Sequence, residues 1–537
     1  MWPFSSSYPI KALEEVTQRT YDYIVVGGGT AGTALAARLS EDGAATVLLL
    51  ERGPFSNSLI SRVPIASTAN GSYTVRRECV TAVETGNRKV DILTAETLGG
   101  NTRINGMIYT RGAPKVEATV ALRQTESLES GIYKALEESA ALMGLPIVKD
   151  GNHPDASAMG YFNLDLTIDK SGYRHSGFHA YLPENVVCQR PSLDICPSAV
   201  IVRVDVAEDE STVRGVYVQS AVPSVRTTPS FIKARREVVL SAGAICTPQI
   251  LQLSGIGSRA VLENLGITVR KDLPDVGRHL ADHYLFPVFI QVPMHDSLQQ
   301  LLANPLQAIR HVLLFATAGK GWLKSAVDRA IYLNTRHIDG VTGMVQANEK
   351  TLNPRNKDNL PDVEIMVVPM GTKPDIYPGE PLFTLQVCLN HAKTEGSVDI
   401  RSSDPLDDPE INLNMLKHPD DIQTAREALR FTLRLVEKFC FDSSYEHSSR
   451  PFVGPGHRQW SKGDCLLASD EELDEYIRKY ISPVWHLTST SRMGKAGEGV
   501  VDDELRVHGF KNLRIADASV LPITVSSHSM APVYMVA

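Results

Sequence analysis

Three observations predict an α/β fold of more than one domain. Near the N-terminus a short apolar run, Tyr23-Ile24-Val25-Val26, meets a glycine cluster and then an alanine-rich stretch, which reads as strand, turn and helix. Beyond residue 286 the texture changes: strand-like runs alternate with amphipathic helices, and no glycine cluster recurs. A chain of 537 residues also exceeds what one hydrophobic core ordinarily holds.

The first element carries the clearest chemistry. Gly27, Gly29 and Gly32 stand at G-x-G-x-x-G spacing, with Thr30 and Ala31 between the last two, and Ala34 to Leu39 continue as a helix. The run Val47-Leu48-Leu49-Leu50 then ends at Glu51, about 20 residues after the last glycine, as a Rossmann-like dinucleotide fingerprint requires. In that motif Gly27 makes the tight turn, Gly29 lets backbone approach a pyrophosphate, and Gly32 lets helix and strand pack closely. The helix N-terminus offers amide groups and positive dipole to the phosphates. Glu51 is placed to accept hydrogen bonds from ribose hydroxyls. The motif does not distinguish FAD from NAD.

Composition excludes several classes. Hydrophobic residues at 43% and charged ones at 22% are those of an ordinary globular protein. A formal net charge of −8 argues against nucleic acid, which wants a basic face. No apolar run reaches the roughly 18 residues of a membrane span. Met1 to Ser7 lacks the basic and apolar regions of a secretory signal. Seven cysteines show no Cys-x-x-Cys or paired spacing, so neither disulfides nor a metal site is expected, and a cytoplasmic, reducing location fits.

Further along, residues 60–90 are polar, with a turn at Asn70-Gly71-Ser72. Leu98-Gly99-Gly100-Asn101 leads to Asn105-Gly106-Met107 and Arg111-Gly112, a glycine pair suited to backbone passing close to a ligand. Leu128 to Met143 reads as a helix stopped by Gly144 and Pro146. Residues 193–245 are β-rich and end at Glu237-Val238-Val239-Leu240, before Ser241-Ala242-Gly243 and a helix with Pro248 expected near its first turn. His279 and His283, in the following connecting segment, read as structural. Leu285 to Val292, Val363 to Val368 and Leu382 to Val387 read as strands. Asp420 to Phe439 reads as the strongest amphipathic helix, and Ser469 with Glu472 as a capping box opening another.

Near the C-terminus two histidines flank a turn. His486 lies in Pro483-Val484-Trp485-His486-Leu487, and His528 in Val525-Ser526-Ser527-His528-Ser529-Met530, with Ile515-Ala516-Asp517-Ala518-Ser519 between them. A lone histidine is more often structural than catalytic; a pair beside a bound dinucleotide suggests proton transfer.

In order, these stretches resemble the glucose–methanol–choline (GMC) flavoprotein oxidoreductases, and in their opening residues the fungal members found in secondary metabolism. The resemblance covers nearly the whole chain and rests on five blocks: the fingerprint with Glu51; Gly99 to Gly112; Gly243 to Gly257; Val276-Gly277 with Asp282-His283; and the histidine region. It implies a Rossmann-like FAD-binding domain (20–115, 185–285 and 485–537) interleaved with a lid and substrate domain (116–184 and 286–484) on an antiparallel sheet flanked by helices. It implies FAD, with Gly100, Asn105, Gly106 and Met107 lining the flavin. Asp517 and Ala518 fall beside the pyrophosphate and ring, Val200 against adenine, and Ser529 and Met530 next to the second histidine. No histidine lies in the second block to bond the flavin covalently. His486 falls where the family places its base, and His528 where it places a second histidine or asparagine.

The implied reaction is oxidation of a primary, aromatic or polyketide-derived alcohol to an aldehyde or ketone, with O2 or a quinone-like molecule as electron acceptor. The alternative is a non-redox cyclase or lyase using both histidines as acid and base on the same scaffold. A monomer or homodimer is expected, without nucleic acid or a membrane span. Two departures stand out: Ala113 to Thr119 replaces the family's acidic, tryptophan-containing lid, and the sequence stops at Met535-Val536-Ala537 within the expected final helix.

Overall fold

The computed structural model describes residues 8–65, 73–110, 121–124, 131–222, 224–225, 227–324, 327–373, 377, 379–445, 452–453, 459–460, 462–464 and 467–537. Two large sheets organise it. In the first, Leu193–Cys196, Val47–Leu50, Thr20–Val26, Ser230–Leu240 and Leu513–Ile515 run parallel in that spatial order. Strands buried on both faces need apolar residues at every position, which is why Val47 to Leu50 is uninterrupted. The eleven-residue strand Ser230–Leu240 does double duty. Its second half belongs to the parallel sheet, and its first half pairs antiparallel with Val213–Ser220, which pairs in turn with Ala199–Val206.

The helix Thr30–Leu39 crosses between the first two parallel strands, as the fingerprint predicts. Gly27 has φ +100°, and a Cβ there would lie 2.5 Å from the Ser241 carbonyl oxygen. A Cβ on Gly32 would lie 1.8 Å from the Gly27 carbonyl oxygen, so strand and helix touch where only glycine fits.

The second sheet has nine strands, mostly antiparallel, with Tyr284–Gln291, Leu382–Leu389, Val363–Val368 and Arg329–Leu333 at its centre. Alternation divides its two faces. Val363, Ile365 and Val367 pack with Leu429, Leu433 and Val436 of the helix Pro419–Phe441, while Met366 and Tyr332 join Met107, Ile108 and Leu166 on the other face. The sheet is therefore covered on both sides, by a helix on one and by the loops of the first domain's neighbourhood on the other.

Most element boundaries shift by one or two residues from the sequence reading, as fraying and capping allow. The long helix starts at Pro419 because His418 accepts the Asp420 amide at 3.2 Å. Ser469 accepts the Glu472 amide at 3.2 Å, as the capping signal suggests. The helix expected from Leu128 is described as Gly131–Leu142; 125–130, Asn70 to Ser72 and the Ala113 to Thr119 departure lie outside the described residues. The final helix spans Met530–Val536, with Pro532 inside its first turn. Pro248 sits in the second turn of Gly243–Leu253, not near its first. There its missing N–H leaves the Ala244 carbonyl without its helical donor, and the Thr490 hydroxyl donates to that oxygen at 2.7 Å.

Candidate active site

A cavity of about 450 Å³ runs between the two sheets. Gly27, Gly29, Thr30, Ala31, Glu51, Gly100, Asn105, Gly106, Met107, Val200, Asp517, Ala518, Ser529 and Met530 all line it, together with His486 and His528. Gly32 does not line it; its part is the close packing already described.

The fingerprint loop is shaped for a ligand. Gly29 ends its strand-side turn at φ −76°, and a Cβ there would meet no protein atom nearer than the Ser241 carbonyl oxygen at 4.0 Å. Its bareness therefore serves the cavity rather than the fold. Gly100, at φ +50°, lies back to back with it: a Cβ on Gly100 would stand 2.8 Å from the Gly29 Cα. The glycine pair at 99–100 thus lets one loop press on the other, a reason the sequence reading did not include. The buried Ser241 hydroxyl, on the same wall, has no partner among the described residues.

Glu51 is held by the chain itself. Its two carboxylate oxygens accept the amides of Gly28 and Gly53, each at 2.7 Å, and burial pushes its pKa up to about 7. Asp517 accepts from the Gly243 amide (2.8 Å), the Thr247 hydroxyl (2.6 Å) and the Ser519 amide (2.8 Å), tying the C-terminal segment to the start of a first-domain helix. Asn105 accepts from the Met107 amide at 3.1 Å and from the Arg174 guanidinium at 2.6 Å. Arg174 is fully buried and also reaches the Thr102 carbonyl at 3.1 Å, so it fixes this wall from behind. Its basic residue type gave no hint of that role in sequence.

The histidines sit at the far end. His486 and His528 have ring centroids 4.7 Å apart and nearly perpendicular planes. His283, read from sequence as structural, stands with them, its Nδ1 2.9 Å from the Nδ1 of His486. Its Nε2 lies 2.9 Å from the Val525 carbonyl oxygen, which can only accept, so Nε2 carries the proton. Burial, then the charge of His528, lowers the His283 pKa to about 4, so its Nδ1 is a bare acceptor. His486 must then donate from Nδ1, and its own lone pair is left on Nε2. Burial first, then its two histidine neighbours, hold the His486 pKa well below that of an ordinary imidazole.

Asp282 holds the backbone of the same residue. It is buried, and it accepts the amides of His486 (2.7 Å), His283 (2.8 Å) and Trp485 (3.2 Å). Trp485 is at φ +67°, a conformation that a non-glycine residue keeps only when its surroundings impose it. Asp282 is buried enough for its pKa to rise to about 7, despite those amides. The adjacent pair Asp282-His283 therefore takes both the backbone and the ring of His486.

His528 has a different setting. Its Nε2 lies 3.1 Å from the Glu364 carboxylate, whose same oxygen accepts the Tyr332 hydroxyl at 2.9 Å. Burial alone would raise the Glu364 pKa, but the His528 charge and the hydrogen bonds of His528 and Tyr332 hold it down. The His528 amide donates to the Thr110 hydroxyl at 3.0 Å. Glu364 was missed in sequence, although a signal was present: it is the single charge in the fully buried run Val363–Val368. The hairpin Thr74–Glu78 with Asp91–Ala95, whose first strand lies in the polar stretch 60–90, also reaches the cavity through Arg77, Leu93, Thr94 and Ala95.

Known proteins share this architecture. Two family models, both described as GMC oxidoreductase, match residues 113–285 and 392–537. An alcohol dehydrogenase (acceptor) from Pseudomonas putida is 30% identical, with 96% of this chain and 94% of that protein aligned. An oxygen-dependent choline dehydrogenase from Cronobacter sakazakii is 28% identical, covering 96% and 93%. Among solved structures, a formate oxidase from Aspergillus oryzae superposes with TM-score 0.81 at 24% identity over 96% of both chains. A fungal aryl-alcohol oxidase gives 0.76 at 21% identity, over 96% and 97%. A bare-glycine cradle, beside a hydroxyl without a partner among the described residues, fits FAD; aligned with these relatives over 96% of its length, the chain belongs to the GMC oxidoreductase family, whose cofactor it shares.

Proposed function

We propose that this oxidoreductase removes a proton and a hydride from the carbinol of a small alcohol, yielding an aldehyde or ketone. Gly29, Thr30 and Ala31 would hold the pyrophosphate of FAD, and Glu51 its ribose. Val200 would meet the adenine, and Gly100, Asn105, Gly106, Met107, Asp517, Ala518, Ser529 and Met530 would hold the remainder. The segments 20–115, 185–285 and 485–537 act as the cofactor domain, and 116–184 with 286–484 as the lid and substrate domain. Bound FAD supplies the two-electron acceptor that no side chain can provide.

The observation that carries this reading is the unequal setting of two neighbouring imidazoles. His486 has no carboxylate partner among the described residues and stays neutral at pH 7, with the Nε2 lone pair free to accept the hydroxyl proton. His528 is backed by Glu364, which supports its N–H and stabilises positive charge on its ring, so it orients the substrate oxygen as negative charge develops there. Met366, Val327 and Val484 make the neighbouring wall apolar, suiting an aromatic or other hydrophobic primary alcohol. O2 or a quinone-like molecule then takes the electrons.

Anaerobic mixing of the purified protein with primary alcohols tests the reading directly. The expected result is bleaching of the flavin absorbance in step with aldehyde formation. Substrate turnover with a flavin that stays oxidised would overturn it in favour of a cyclase or lyase. A second measurement concerns the partner imidazole. His528→Ala should slow bleaching about 10²–10³-fold, the usual loss of one such donor. His528→Asn keeps a donor and should lose several-fold less. Equal losses would mean that His528 does more than donate a hydrogen bond.

A further inference from the structure

The segment 286–484 sends one turn back to the cofactor cavity. Ser397–Asp399 and Glu410–Asn412 pair as an antiparallel hairpin, and between them runs Ser402-Ser403-Asp404-Pro405-Leu406-Asp407-Asp408. This turn holds its own shape. The Ser402 hydroxyl donates to the Asp407 carboxylate at 2.6 Å and accepts the Asp404 amide at 3.1 Å. The Asp404 carboxylate accepts the Leu406 amide at 2.9 Å, and the Pro405 ring fixes a further torsion.

The hairpin is seated on the helix Gly243–Leu253 by two buried glutamines, three residues apart and so on one face. Gln252 serves the strand end: its Oε1 accepts the Ile400 amide at 2.8 Å, and its Nε2 donates to the Val398 carbonyl at 3.0 Å. Gln249 serves the turn, donating to the Asp407 carbonyl at 2.8 Å. From the other side comes Arg77, whose side chain is 2% exposed. Each of its nitrogens has a different acceptor: Nε donates to Asp408 at 2.8 Å, Nη1 to the Thr94 hydroxyl at 2.6 Å and Nη2 to Glu96 at 2.5 Å. Arg52, next to Glu51 in the chain, reaches the Leu406 carbonyl at 3.5 Å.

We propose that the turn Ser402–Asp408 is a clamp on the cofactor, closing the cavity near Glu51 and setting how fast bound flavin is released, with the Arg77–Asp408 pair as its fastening. Arg52, Arg77 and Gln249, the side chains that grip the turn, all line the cavity, and so does Pro405 within the turn. A hairpin needed only for packing would be secured at its strands, as Gln252 secures this one. Here a second set of anchors holds the turn itself, and that set comes from the cavity wall. Asp408 is 48% exposed, so solvent and salt reach the outer half of the fastening while Arg77 stays buried. The proposal rests on the cofactor placement put forward above and not on the alcohol chemistry.

Flavin release from the purified holoenzyme, followed as the rise in free-flavin fluorescence after dilution, tests this. Asp408→Ala should release flavin about fivefold faster than wild type, the effect of one partly exposed ion pair. Asp408→Asn keeps an acceptor without the charge and should fall between the two. Rising salt should speed release from the wild type and change Asp408→Ala little, a signature that general loosening of the fold does not give. Glu263→Ala removes a comparably exposed pair with Arg259 and should release flavin at the wild-type rate. The flavin-free melting temperatures of Asp408→Ala and wild type should agree. Wild-type release from Asp408→Ala, an equal gain in Glu263→Ala, or faster release that only follows a lower flavin-free melting temperature would each overturn the clamp. Wild-type protein purified without flavin would overturn the cofactor placement, and the clamp with it.

Discussion

Replacing His486 with alanine gives a protein that still carries its flavin but is bleached by alcohol about 10²–10⁴ times more slowly, the typical loss of a positioned general base. The flavin should stay because the glycine cradle and the walls around Asn105 and Asp517 do not depend on this side chain. The pH dependence carries the sharper information. In the wild type the His486 pKa lies well below 6.5, so the imidazole is unprotonated throughout the neutral range. Bleaching should therefore be flat on the alkaline side and fall only as pH drops below the ordinary imidazole value. In the variant the rate should instead climb with pH, because hydroxide or a pre-formed alkoxide must replace the missing base. The truncation also leaves the buried His283 Nδ1 without its donor, an expected destabilisation of about 1–3 kcal/mol. His486→Asn controls for it, restoring a donor but not a base of similar strength. Stopped-flow reduction of both variants across pH decides the matter: a loss below tenfold with an unchanged profile would mean that the proton goes elsewhere, with His528 the nearest candidate.

Much of this site was legible because its chemistry depends on local sequence. The parallel strand Val47–Leu50 announces itself as an unbroken apolar run, and the fingerprint glycines by their spacing after a strand. Of the two C-terminal histidines, His528 stands in a short stretch of small residues, Val525-Ser526-Ser527-His528-Ser529, that suits a ligand wall. What escaped the reading depends on long-range packing. His283 looked like a residue in a connector because nothing near it in sequence mentions Val525 or His486, its partners in the fold. Glu364 and Tyr332 lie on neighbouring antiparallel strands and share the cavity-facing side only through their register. Pro248 was placed by the rule for helix starts, but the tertiary donor Thr490 relieves the cost of having it in the second turn. The alternation in Val363–Val368 nevertheless held a clue: one charge among five apolar residues on a buried strand has to be paired, and what pairs it is functional.

The glycines allow fold and cofactor binding to be separated by substitution. Gly29→Val should fold and come out colourless, whereas Gly32→Ala should fail to accumulate as folded protein. At Gly32 the new Cβ would stand 1.8 Å from the Gly27 carbonyl oxygen, a backbone atom with no freedom to move without breaking the strand-to-helix turn. At Gly29 the backbone is at φ −76°, open to any L-residue, and the nearest protein atom to a Cβ is 4.0 Å away. The protein alone therefore tolerates the added group, and the clash arises only when a pyrophosphate comes down on the loop. Overpacking of that kind costs about 1–3 kcal/mol, and more where the neighbour is a rigid phosphate. On flavin affinity this is a loss of about 10- to 100-fold or greater. The two readouts are the flavin-to-protein absorbance ratio after purification and the melting temperature of flavin-free protein. For Gly29→Val the ratio should collapse while the flavin-free melting temperature stays near that of flavin-free wild type. A Gly29→Val protein that retains a full complement of tightly held flavin would remove the pyrophosphate from this loop.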